Sequence, residues 1–261
     1  MSIERISALL AKAERTDNEH EAEAYLMKAQ ALATAASISL AVAQAHLVQS
    51  QEKTRPETRT ITIGEKGKRA NQHLIAMFIA TAHANDIKVD IASNSTFVIA
   101  YGMPSDLDVV EALFTSLAVQ MINAGHRWVT QGGWRGDTYV SVTRVRGRSV
   151  RKVREHTAHT VRVAFYRAYI ERIAERLQQV RTEVFVSERV ETTATALVLR
   201  DKESEISAFH QQTSQARGSW QGYSGQMRGD LGTATKAGRR AADSARLSQH
   251  SELGQRSMLS N

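Results

Sequence analysis

The stretch Val150–Val184 carries the longest helical rhythm in the chain and closes its densest basic run. Val153, Val161, Ala164, Phe165, Ala168, Ile173 and Leu177 recur at helical spacing. They predict one long helix with a buried side. Polar and β-branched residues interrupt the rhythm at His156–Thr160, so a fray or bend is expected there. Between Arg144 and Arg176 ten Arg or Lys face three Glu, a balance of +7 that equals the net charge of the whole chain. A fold built on this segment must bury one helix face and leave a strongly cationic junction in front of it.

Composition narrows the classes. The chain has 261 residues, is 42% hydrophobic and contains two prolines, enough apolar matter for one medium core or two small ones and a mostly helical fold. With no cysteine, disulfides, thiolate metal sites and cysteine nucleophiles are excluded. Glu4, Arg5 and Lys12 break up the apolar positions near the start, so no signal peptide is expected. No continuous apolar run is long enough to predict a membrane span, and a cytoplasmic protein is the default expectation.

At the start, Ile3, Ile6, Leu9, Leu10 and Ala13 form one helical face, with Ser2 available as a cap. Asn18 with Glu21 has the form of a capping box for a second helix on Ala22, Leu26, Ala29, Leu32, Ala33 and Ala36. The short turn between them predicts an antiparallel hairpin, with a third short helix over Ile38–Val48. Leu9-Leu10, Asn18-Glu19, Glu21-Ala22-Glu23-Ala24, Lys28-Ala29-Gln30, Leu32 and Ile38 resemble a small DUF2786-type domain of unknown function found in bacteria, notably actinobacteria, and their phages. More loosely, FTSLAVQMINAG, FYRAYIERIAERL and the terminal alanine-glycine stretch are similar to the companion region that often follows that domain. The resemblance implies an architecture and carries no activity.

Beyond a polar linker with Pro56, ITIG at 61–64 reads as a short extended piece and Ala70–Asn85 as a helix. Ile87–Ile91 and Thr96–Tyr101 are β-rich and predict a hairpin. Ser105 is the expected N-cap of a helix through Val109, Leu113, Leu117 and Met121 that stops at Gly125. Gly132, Gly133 and Gly136 predict a mobile loop and Thr138–Val145 a strand, after which Val150 opens the long helix. Ala194–Leu199 is a further strand candidate. The expected fold is α+β and mostly helical. It comprises a helical hairpin domain over 1–48, a linker over 49–69, and a core over 70–205 with a small antiparallel sheet against long helices. A flexible or partly helical tail over 206–261 completes it.

The leading functional expectation is a non-enzymatic accessory protein that contacts DNA or RNA with little sequence preference. Arg127, Arg144, Arg146, Arg148, Arg151, Lys152 and Arg154 would meet phosphates, and Trp134 would stack. The bland counterpart is a solvated basic face. A protein–protein adaptor working through the hairpin or the glycine-striped tail (Gly218, Gly222, Gly225, Gly229, Gly232) is the second reading. A hydrolase or nuclease assembled from Asp106 or Asp108, Asp137 and a histidine is the third. His156 and His159 share a helical face, but no HExxH and no cysteine accompany them, so no metal is expected. Gly132-Gly133-x-x-Gly136 lacks the spacing and lysine of a phosphate loop, so no nucleotide cofactor is expected either.

Overall fold

The computed structural model describes residues 6, 9, 24–25, 27–37, 54–145, 148–187, 193–218, 220 and 231–245. It is mostly helical, with a small antiparallel sheet packed against long helices. The chain runs α1 (residues 27–37), β1 (Glu57–Thr62), α2 (Asn71–His83), β2 (Lys88–Ile91), β3 (Phe97–Gly102) and α3 (Pro104–Gln131). It continues through β4 (Thr138–Val145), β5 (Arg148–Glu155), α4 (Ala158–Ser187), α5 (Thr193–Thr213) and α6 (Gly232–Asp243). The turn and capping box of the N-terminal hairpin, the third short helix and Gly222, Gly225 and Gly229 lie outside the described residues.

The central strand of the first sheet is β3, paired antiparallel with β1 from Glu57↔Gly102 to Thr62↔Phe97 and with β2 from Lys88↔Tyr101 to Ile91↔Val98. Alternation sends Val98 and Ala100 to one face, where Ile61, Val89 and Ile91 join them against α2, α3 and α4. That layer buries Ile75, Phe78, Leu107, Leu113, Met121, Phe165 and Ile173. Phe78 meets Phe114 edge to face at 5.2 Å. Tyr101 points the other way and meets Phe209 and His210, so the end of α5 covers the opposite face. Buried Asn71 donates to the carbonyls of Glu65 and Ser95, both at 2.8 Å, and so ties the loop before α2 to the β2–β3 turn.

Several expectations change. Residues 148–155 are strand, not the start of the long helix: they pair with β4, whose alternation supplies a partner for β-branched Val150 and Val153. The long helix begins at Ala158, and the polar interruption is its cap, because the Thr157 hydroxyl accepts the Thr160 N–H at 3.2 Å. Residues 194–199 are helical within α5, since their alanines and leucines continue into good helix formers at Arg200–Glu205. The third strand is β1 instead, which lies inside the stretch 49–69 read as linker. The first turn of α3 opens on Pro104 with extended Met103 as N-cap and no side-chain cap, so Ser105 sits inside the helix. Gly125 does not end that helix. It makes room for the Tyr166 ring, which a Cβ there would overlap.

The described part of α1 packs onto the body. Ala29 and Ala33 are buried with Ile6 beside Val109, and Met27, Ala31 and Ala35 meet Val180 and Val184. By length and hydropathy α3 could cross a membrane, yet Leu107, Val110, Leu113, Leu117 and Met121 are buried among α2, α4 and the sheet, the placement of a core helix. Within the span read as tail, α6 packs along α4 with Ala234, Gly238 and Ala242 buried. Three further contacts tie it down: Arg172 to Asp243 at 2.6 Å, Arg239 to Glu175 at 2.6 Å, and Arg176 to the Ala242 carbonyl.

At Gly238 a Cβ would overlap the Phe165 carbonyl oxygen, a backbone atom with no freedom to turn aside. Gly238→Ala gains about 1 kcal/mol of helix propensity, but forcing the α4–α6 crossing apart costs about 1–3 kcal/mol. We expect a lower urea midpoint. A midpoint at or above that of the unaltered protein would contradict the close crossing.

Candidate nucleic-acid interface

Strands β4 and β5 form a separate two-stranded ribbon, paired from Thr138↔Glu155 to Val145↔Arg148. Cross-strand partners share a face, so the register sorts the side chains. One face carries Val140, Val142 and Arg144 opposite Val153, Arg151 and Ser149. The other carries Tyr139 and Ser141 opposite Arg154 and Lys152, with Arg148 farther along. Beyond isolated contacts, no other described element packs against either strand. Val140, Val142 and Val153 are therefore 58%, 56% and 71% exposed.

The base of the ribbon is anchored. Backbone N–H of His156 donates to the Asp137 carbonyl at 3.1 Å, and Tyr139 stacks on the buried His156 ring with centroids 4.9 Å apart. Two-stranded hairpins are marginal alone, so this anchor and the full cross-strand register hold the ribbon out from the body.

Arg144, Arg148, Arg151, Lys152 and Arg154 are all exposed, and none pairs with an acidic side chain among the described residues. The structure gathers them onto one ribbon but divides them between its two faces, rather than lining a single face as alternate strand arginines would. Arg146 lies outside the described residues. Arg127 is on the body, exposed near the end of α3. Trp134 is half-buried: its indole N–H donates to the Val129 carbonyl at 3.0 Å and its ring packs beside Val129, Val161, Ala164 and Leu231. It plugs the turn after α3, where Gly132 at φ 74° serves as the left-handed C-cap.

The carboxylates named for a hydrolytic site are not brought together. Asp106 is buried against Lys202 at 2.8 Å, Asp108 pairs with Arg59 at 2.6 Å on the surface, and Asp137 stands at the ribbon base. Among the described residues no three His, Asp or Glu side chains converge as metal ligands.

A polar cluster that sequence reasoning missed joins α5 to the sheet. Asp90 on β2 accepts hydrogen bonds from the Tyr101 hydroxyl at 2.9 Å and the Ser214 hydroxyl at 2.6 Å, and sits 3.0 Å from His210 Nε2. Burial pushes the Asp90 carboxyl up, but the bonds from Ser214, His210 and Tyr101 outweigh it and hold the group below the ordinary carboxylate range. Burial, with the Asp90 bond added, pushes the Tyr101 phenol up to about 12. Only the period-two alternation of β2, which sets Asp90 opposite its apolar neighbours Val89 and Ile91, hinted at a docked partner; the spacing to Ser214 carries no motif.

Because the folded carboxyl has the lower pKa, its stabilising share is complete above the unfolded pKa and lost as pH falls through the folded one. Asp90→Asn should therefore lower stability at neutral pH by about 1–3 kcal/mol and flatten the loss below pH 3.8. Urea titrations at several pH values measure both. Equal pH dependence in the two proteins would contradict the assignment.

Residues 2–40 match a family described as a protein of unknown function, DUF2786. The matched segment includes the motif residues Ala29 and Gln30, which the structure buries at the junction with the body; Gln30 donates to the Asn85 side chain at 3.4 Å. No curated protein and no solved structure matches the chain.

Proposed function

We propose that this protein binds nucleic acid through the β4–β5 ribbon, as a non-enzymatic accessory protein of the cytoplasm with little sequence preference. One observation carries the reading: five exposed cations without described acidic partners stand on both faces of a ribbon that the body leaves uncovered. A two-stranded ribbon fits the major groove of duplex DNA, about 12 Å wide. A ribbon in a groove has a phosphate backbone on either side, so cations on both faces neutralise both walls. Contacts to phosphate fix position without reading bases. Fluorescence polarisation with two duplexes of unrelated sequence at low salt tests this. Binding to both within about threefold is expected, since the phosphate term is indifferent to sequence. No binding to either would overturn it.

The exposed valine face also favours a protein partner, at a surface other than the hairpin or tail expected of an adaptor, because Val140, Val142 and Val153 form an apolar strip that nothing described covers. Replacing the three by serine separates the readings. Loss of a pull-down partner with duplex affinity intact would favour the adaptor.

A further inference from the structure

A groove of about 370 Å³ runs between α3 and α6, at the end of α3 that leads into the ribbon. Half-buried Trp128 forms its aromatic floor, backed by the buried Phe165 ring, on which it stacks with centroids 5.4 Å apart and planes inclined by 25°. Ala237 and Ala241 of α6 form one wall, and exposed Arg127 and Arg240 stand at the rim. No carboxylate lines it, and neither arginine pairs with a described acidic side chain. Helix α6 has acidic neighbours to offer, but Asp243 and Glu175 are taken by Arg172 and Arg239 on the side toward α4.

An aromatic floor beneath two uncompensated guanidinium groups suits a flat, apolar-faced ligand that carries negative charge. Each base of a single strand offers a π-face of this kind, and its phosphate offers the charge. Its volume falls within the usual range of small-ligand pockets, about 300–1,000 Å³. We infer that the α3–α6 groove is a nucleotide subsite that takes one unpaired base on Trp128, which Phe165 backs, and its phosphate between Arg127 and Arg240. The inference rests on the nucleic-acid reading and extends it from the ribbon to the body, adding an unpaired end or an extruded base to the substrate.

The test uses the full chain and a labelled, 5′-phosphorylated thymidine trinucleotide, with its abasic analogue and inorganic phosphate as competitors. The trinucleotide should bind at low salt. The double variant Arg127→Ala/Arg240→Ala should weaken it by about tenfold or more, as loss of two phosphate contacts implies. The abasic analogue should bind about tenfold more weakly, through loss of stacking. Both arginines are exposed, and an unchanged circular dichroism spectrum and melting point would confirm that the variant folds. An unaffected double variant would overturn the subsite, as would an abasic analogue or inorganic phosphate that competes as well as the trinucleotide. Neutralising the ribbon cations should leave trinucleotide binding unchanged. If that variant loses it, the groove inference fails while the ribbon reading stands. If the trinucleotide binds and duplex does not, the ribbon reading fails alone.

Discussion

Replacing Arg144, Arg148, Arg151, Lys152 and Arg154 together by alanine should reduce duplex affinity at low salt by about a hundredfold or more. The expectation is large because phosphate contacts supply essentially all of a non-specific affinity. The five side chains are exposed and have no described acidic partners, so little folding energy goes with them. Exposed substitutions of this kind usually change stability by less than about 0.5 kcal/mol each. Binding and stability should therefore separate, with affinity collapsing while the melting point moves little. A variant that keeps its duplex affinity would place the interface elsewhere on the molecule. Single substitutions should each give a partial loss of similar size, because phosphate contacts on the two faces act nearly independently.

The second large effect lies in the interior. Lys202 and Asp106 are 2.8 Å apart, and each side chain is only 7% exposed. Lys202 also donates to the Ser37 hydroxyl at 2.6 Å and lies 3.7 Å from Asp86, which Arg181 engages as well. The network ties five parts of the chain together: the end of α1, the loop after α2, the first turn of α3, α4 and α5. Asp106→Ala leaves a buried ammonium group whose nearest carboxylate is Asp86, and breaking a buried pair from one side costs about 3–5 kcal/mol. That is a large part of a typical folding free energy of about 5–15 kcal/mol. Urea denaturation should show the loss, and the double variant Asp106→Leu/Lys202→Met should recover much of it, because no charge is then stranded. Asp108 offers the contrast two residues on. Its pair with Arg59 is half open to solvent, so Asp108→Ala should cost under about 1 kcal/mol. Equal costs at the two positions would contradict the buried network.

Much of this fold was legible wherever local pattern and tertiary packing agree. The β2–β3 hairpin shows in the apolar runs on either side of Ala92–Ser95, and α2 shows in Leu74, Ile75, Phe78 and Ile79. The Val150 region misleads because its valines at 150, 153 and 161 satisfy a helical spacing, while only the first two lie in a strand. What decides between the states is the partner strand, and pairing with Thr138–Val145 is a tertiary fact. Ala194–Leu199 fails in the opposite sense, since its β-branched residues suggest a strand but no sheet edge receives it.

The candidate site was legible as composition and not as geometry. Basic residues at 144–154 announce a cationic patch, but only the register shows that Arg144 and Arg151 share a face with the valines while Lys152 and Arg154 lie behind. Trp134 illustrates the limit. An aromatic residue near a basic run invites a stacking role, and nothing local reveals that its ring and N–H are already engaged by Val129 and its neighbours. The contacts of Asp90 with Ser214 and of Asp106 with Lys202 join residues far apart in sequence and left no periodic trace.

The salt dependence of duplex binding tests the central claim most directly. With the five described ribbon cations each neutralising a phosphate, a plot of log affinity against log salt should fall with a slope of about −4 to −5. The alanine-substituted ribbon should lie near zero on the same plot. A flat line for the unaltered protein, or the same slope with and without the ribbon cations, would contradict the account.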